Sequence, residues 1–213
     1  GSGQLLHPLS ANFKKSIGID ISNEQIENAK KKINSNNVYC YTCDVYNTIE
    51  FLEKEGHGDL KNKFDLVTIG QAYHWFEEEK LLKYIKDNLL SENGILLIIG
   101  YCKQHFTEDS PLYTIFNNIF EHLKPYFECD VVHTDSGYVK SKPLFESYFK
   151  KVEWKYYTET TTMTIDKLIG FLKSWSAYVN YMKTHTDDPI DSLKSMDKEV
   201  EYKNFYFYIS FIN

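Results

Sequence analysis

Gly1-Ser2-Gly3-Gln4 and, seventeen residues past Gly3, the run Ile17-Gly18-Ile19-Asp20 decide how the chain is read. A glycine turn followed about 20 positions later by an acidic residue is the spacing with which a doubly wound α/β domain holds a nucleoside. The turn lets backbone approach the ligand, and the carboxylate takes the ribose hydroxyls. Such a turn normally follows a buried strand, and the sequence begins at Gly1. The expectation is therefore a nucleoside site on an amino-terminally cut piece of the domain.

Working outward from that stretch, residues 1 to 101 alternate apolar runs with amphipathic segments, the pattern of a parallel sheet with crossover helices. The spacing predicts a short helix over 4–13, a strand over 17–21, and a helix over 23–33 opened by the capping box Ser22-Asn23-Glu24-Gln25. It continues with a strand over 38–41, a helix over 48–54, a strand over 64–70 and a helix over 77–89 whose acidic first turn suits the helix dipole. Ser91-Glu92-Asn93-Gly94 reads as a turn before the most apolar strand, 95–99.

Beyond Tyr101 the pattern changes. A helix is expected over 112–123, irregular chain over 125–143 and an exposed or antiparallel strand over 152–162. One amphipathic helix over 166–183, capped by Thr164, follows, then a polar loop over 183–203 and a closing strand over 205–211. The whole is expected to be one α/β domain, 1–101 forming the cofactor half and 102–213 the substrate side. Its sheet is mostly parallel with an antiparallel last strand.

With 213 residues, 42% of them hydrophobic and 25% charged, the composition is that of an ordinary globular protein. No run of about 18 apolar residues supports a membrane span and no leader pattern is visible, so a cytoplasmic location is expected. A net charge of -6 argues against a nucleic-acid partner. All 24 basic residues are Lys, so the side chain best shaped for bidentate capture of carboxylates is absent, which weighs against a polycarboxylate substrate. Cys40 and Cys43 are the one close thiol pair among four cysteines, and no second pair or suitably spaced histidines complete a zinc site. Metal is expected to play no part, and the thiols are expected to be reduced.

Asp20 and Asp44 end successive strands at the edge where open α/β sheets bind nucleosides, so together they can grip a ribose diol and an adenine amino group. Their plainer reading is as caps of the following helix and turn. His74-Trp75 after the buried strand 64–70 is read either as packing of loop on helix or, for His74, as a proton acceptor. Trp175 and Tyr178 fit an apolar helix face and read first as core.

Together with Phe64-Asp65-Leu66-Val67 and Gln71-Ala72-Tyr73-His74-Trp75-Phe76, the opening residues through Ser22 resemble the class I S-adenosylmethionine-dependent methyltransferases. Within these the chain is similar to the small-molecule group that includes trans-aconitate methyltransferase. The likeness covers residues 1 to about 101, and Ser174-Trp175-Ser176-Ala177-Tyr178 extends it more loosely. It implies S-adenosylmethionine as cofactor, with Gly1 and Gly3 near its methionine part and Asp20 and Ile21 at the ribose. Asp44 and Val45 would meet the adenine, and Gln71 and Ala72 would line the methyl-donor end. It also implies a small-molecule acceptor, and a central strand, missing here, between the strands ending in Asp20 and Gly70. Without that strand the chain is expected to be unstable or inactive alone. Two other classes stay open: a non-catalytic methyltransferase-like binding or structural protein, and a nicotinamide dehydrogenase. Asp44 and the segment from Gln71 to Phe76 tell against the last.

Overall fold

A computed structural model describes residues 1–196 and 199–212. The first helix, α1, is shorter than expected, Leu6–Ser10, and is followed by β1, Ser16–Asp20, α2, Asn23–Lys32, and β2, Val38–Thr42. Ser22 caps α2 as its sequence requires, its hydroxyl accepting the Gln25 N–H at 3.4 Å. Next come α3, Thr48–Lys54, β3, Phe64–Gly70, and α4, Glu78–Tyr84, which widens into a π-turn over Ile85–Leu89 before β4, Leu90–Tyr101. The expected turn at residues 91–94 is present as an irregularity inside β4: Phe64 pairs with Leu90 but Leu66 pairs with Ile95. β3 therefore resumes its ladder only when the apolar run begins.

In the second half, α5 spans Leu112–Leu123. The stretch expected to be irregular instead holds α6, Val131–Asp135, and α7, Lys142–Tyr148, with 3-10 turns at Lys124–Tyr126 and Val139–Ser141. Asp130 caps α6, accepting the His133 N–H at 3.0 Å, a local hydrogen bond that segments so short conceal from periodicity. β5, Lys151–Thr164, and β6, Glu199–Ile212, pair antiparallel along their full lengths.

The helix expected over 166–183 is two helices, α8, Ile165–Lys173, and α9, Ser176–Met182. Trp175 breaks them by adopting an extended backbone (ψ 135°). Its indole lies among the rings of Phe116, Phe120, Phe127 and Phe171, with centroids 5.6–6.1 Å away. Just before it, the Ser174 hydroxyl donates to the Phe171 carbonyl at 2.6 Å, a local bond that competes with helix continuation. The apolar spacing survives because both pieces face one core, which includes Leu168, Leu172, Ala177 and Tyr181. The expected polar loop over 183–203 contains a 3-10 turn at Asp191–Ser195 and the start of β6, its residues 197 and 198 lying outside those described.

The strands form two sheets. β1 and β2 pair in parallel, and β3-β4-β6-β5 make a four-stranded sheet, parallel between β3 and β4 and antiparallel across β6. Among the described residues β1 and β3 form no ladder with each other. The residues entering α1 touch both: a Cβ on Gly18 of β1 would come within 2.6 Å of Leu6 Cδ2, and one on Gly70 of β3 would run into Leu5 Cδ1. The two leucines thus rest on bare backbone of two separate sheets, which glycine alone permits at that approach. The main core lies over the larger sheet, where Leu96, Phe145, Phe207 and Phe211 are fully buried.

Candidate active site

A cleft of about 1160 Å³ runs between β1 and β3 along their full lengths and reaches Asp20, Gln71 and Ala72 at their carboxyl ends. It exceeds the roughly 300–1,000 Å³ of ordinary ligand pockets because the space between the two sheets belongs to it. Gly1, Gly3, Asp20, Val45, Gln71 and Ala72 line it, so six of the residues singled out from the sequence come together. Ile21 is exposed (80%), and neither it nor the exposed Asp44 lies on the cleft wall.

Gly3 turns the chain at φ +81°, a left-handed conformation that L side chains rarely adopt. A Cβ there would also stand 2.7 Å from Ile33 Cδ1 and 3.3 Å from Ala29 Cβ, so the turn packs directly on α2. Asp20 ends β1 with Oδ1 accepting the Ser22 N–H at 2.7 Å, which fixes its carboxylate at the strand edge. Its Oδ2 lies against the backbone nitrogen of Gly1, so turn and carboxylate are adjacent in space. Asp44 instead caps the 3-10 turn Val45–Asn47 through the Tyr46 N–H, at 2.8 Å. Bare backbone at the turn, a carboxylate beside it and an apolar floor are the donor and acceptor set that a nucleoside with a charged tail requires. The residues present therefore fit S-adenosylmethionine.

Gln71, directly after β3, holds a left-handed backbone (φ +49°) that is uncommon outside glycine and marks a site under constraint. Its N–H donates to the Ile99 carbonyl at 2.8 Å, and its side-chain amide brackets Tyr101, accepting the Tyr101 N–H at 3.0 Å and donating to its carbonyl at 3.3 Å. The ends of β3 and β4 are thereby tied together.

A second cavity, about 370 Å³, lies beyond that tie, and Gln71 and Tyr101 line both spaces. His74 borders it, its Nδ1 3.1 Å from the Tyr138 hydroxyl. Burial lowers the His74 pKa, so the ring is neutral near pH 7. Cys102 on the same wall is pushed up to about 11, first by burial and then by the nearby Asp135 charge, and stays a thiol. Asp135 is itself raised by burial, against the Lys103 N–H donating to Oδ1 at 2.8 Å.

Sequence reading missed Lys103, Gln104 and Asp135. Lys103 and Gln104 follow the end of β4 as Gln71 follows β3, so the strand-end rule that found Gln71 would have found them. Asp135 lies in the short helix α6 and carried no such signal. Trp175, read as core, does pack in the aromatic cluster, and it also lines this second cavity.

No helix among the described residues is long and apolar enough to cross a membrane. The family pattern described as "Methyltransferase domain" matches residues 1–96. A Dictyostelium discoideum protein named provisionally as a methyltransferase is 32% identical over 203 residues, spanning 91% of this chain and 68% of its own length. Among solved structures, an Anaeromyxobacter dehalogenans protein described as a type II methyltransferase superposes with a TM-score of 0.75 at 17% identity, covering all of this chain and 86% of that one. A Bacillus halodurans methyltransferase structure gives 0.55 at 14% identity, covering 100% and 88%.

Proposed function

Because the chain belongs to the class I S-adenosylmethionine-dependent methyltransferases, we propose that it transfers a methyl group from S-adenosylmethionine to a small molecule held in the second cavity. The observation that carries this reading is the meeting of the two spaces at Gln71 and Tyr101. Methyl transfer is an in-line displacement, so donor and acceptor must approach end to end with water excluded, and two cavities that share Gln71 and Tyr101 would set them side by side.

In this reading the bound cofactor supplies an electrophilic sulfonium methyl. Gly1 and Gly3 would offer backbone to its methionine part, Asp20 its carboxylate to the ribose diol, and Val45 an apolar face to the adenine. Gln71 and Ala72 would border the methyl end. Ile21 and Asp44 would reach the nucleoside only by rotation of the exposed segment after each strand. His74, neutral and oriented by Tyr138, is the group we assign to take a proton from the acceptor. The facing, unladdered edges of β1 and β3 fit one further parallel strand between them. They equally favour a second reading, a non-catalytic methyltransferase-like protein that keeps the fold as a binding surface.

Calorimetric titration with S-adenosylhomocysteine separates the two. Saturable binding that weakens roughly 10- to 100-fold in Asp20→Asn, the cost of losing charged hydrogen bonds to a diol, supports catalysis. Absence of binding by the folded protein would leave the non-catalytic reading.

A further inference from the structure

We propose that the methyl acceptor is an amine, its N–H groups taken by Gln104 Oε1 and the Asp135 carboxylate and its apolar body covered by Trp175, Phe120 and Phe127. The inference rests on the methyl-transfer reading above and concerns the second cavity alone.

Gln104 is 6% exposed, lines that cavity, and its Oε1 has no hydrogen-bond partner among the described residues. A buried amide oxygen left unpaired costs about 1–3 kcal/mol, so a ligand that donates to it recovers a real penalty. Asp135 lines the same cavity, and among the described residues the one hydrogen bond to its carboxylate is from the Lys103 N–H to Oδ1. Both groups are acceptors. A hydroxyl carries one proton and satisfies one of them, whereas a primary amine or ammonium carries two or three and satisfies both. A carboxylate acceptor would set lone pairs against lone pairs.

The cation in the cavity wall, Lys103, is already engaged: its Nζ stands 4.1 Å over the Phe120 ring and 3.5 Å from Asn117 Oδ1.

Chemically, an amine first sheds any extra proton to solvent, after which the nitrogen lone pair forms the new N–C bond as the methyl–sulfur bond of the sulfonium breaks. The electron pair of that bond returns to sulfur, giving a neutral thioether. The proton that the methylated nitrogen then releases passes to the neutral His74 ring and on to solvent.

The test uses three probes that differ only in their terminal group: 2-phenylethylamine, 2-phenylethanol and phenylacetate. Each is titrated into the full chain saturated with S-adenosylhomocysteine, with binding read by calorimetry and by one-dimensional NMR. The amine is expected to bind at least about tenfold more tightly than the other two. Gln104→Met, which keeps the volume and removes the acceptor, and Asp135→Asn, which still accepts from Lys103, should each reduce amine affinity by about tenfold or more. Both should leave S-adenosylhomocysteine binding unchanged. Equal binding of the alcohol or the acid, unchanged amine affinity in both variants, or no binding of any probe to protein that binds S-adenosylhomocysteine, would overturn the proposal. Failure of S-adenosylhomocysteine itself to bind would instead strike the methyl-transfer reading.

Discussion

The β1–α2–β2 unit and the β3-β4-β6-β5 sheet are built to different strengths. The first pairs two five-residue strands, every β1 residue is only half-buried, and its buried core is Ile26, Ala29 and Cys40. The second runs a 14-residue antiparallel ladder between β5 and β6 and buries a core cluster drawn from Ile69 to Phe211. Asp20 stands on the weaker unit, whereas the second cavity is walled by strand ends of the stronger one together with α6 and the helices of the α5–α8–α9 core. Regions with few buried contacts open first, so the β1–α2–β2 unit is the one whose order a ligand can change.

The sharpest way to break that comparison is to damage the strong half. Phe207 is fully buried on β6, and Phe207→Ala should cost about 3–5 kcal/mol and lower the whole urea transition. If it instead melts the larger sheet while the β1–β2 amides keep their exchange protection, the ranking of the two units is wrong.

S-adenosylhomocysteine should act next most strongly. At about 100 times its Kd it adds about 2.7 kcal/mol by mass action, and the gain in hydrogen-exchange protection should concentrate in β1, β2 and the Gly3 turn. Uniform protection across both sheets would remove the distinction.

Ser22→Ala should cost about 1 kcal/mol through loss of the α2 cap, with faster exchange confined to α2 and β2. A global shift in Tm without that local pattern would show that the two units open together.

The smallest effect concerns pH. Burial raises the Asp135 pKa, with Lys103 and His105 opposing it and Cys102 beside it. The folded state therefore holds this proton more tightly than the unfolded one. Its contribution to stability is fully present below the ordinary aspartate pKa and is lost as pH rises through the raised value. Asp135→Asn should flatten that part of the stability–pH curve and leave the protein more stable near neutrality. A steeper curve in the variant would contradict the assigned cause.

How far the sequence could be read follows the same division. Ser22, Thr164, the strand 64–70 and the helices 48–54 and 112–123 announce themselves because caps and periodicity act within a few residues. α6 and α7 did not, since segments of five and seven residues are too short to show a period and are held by neighbours distant in sequence. The Trp175 break was invisible for the opposite reason: the period runs on through it, and the ring cluster formed by α5, α8 and Phe127, together with the Ser174–Phe171 bond before it, takes the chain out of helix.

Sequence alone placed Gly3, Asp20, Gln71 and His74 at strand ends and turns, because the glycine spacing and the strand-end rule are properties of local chain geometry. Only the tertiary structure decided that Asp44 turns to its own backbone, that Gln71 is locked onto Tyr101, and that Gln104 and Asp135 face one cavity. Those are outcomes of which hydrogen-bond partner lies nearest once the strands are packed, and no pattern along a single chain encodes that distance.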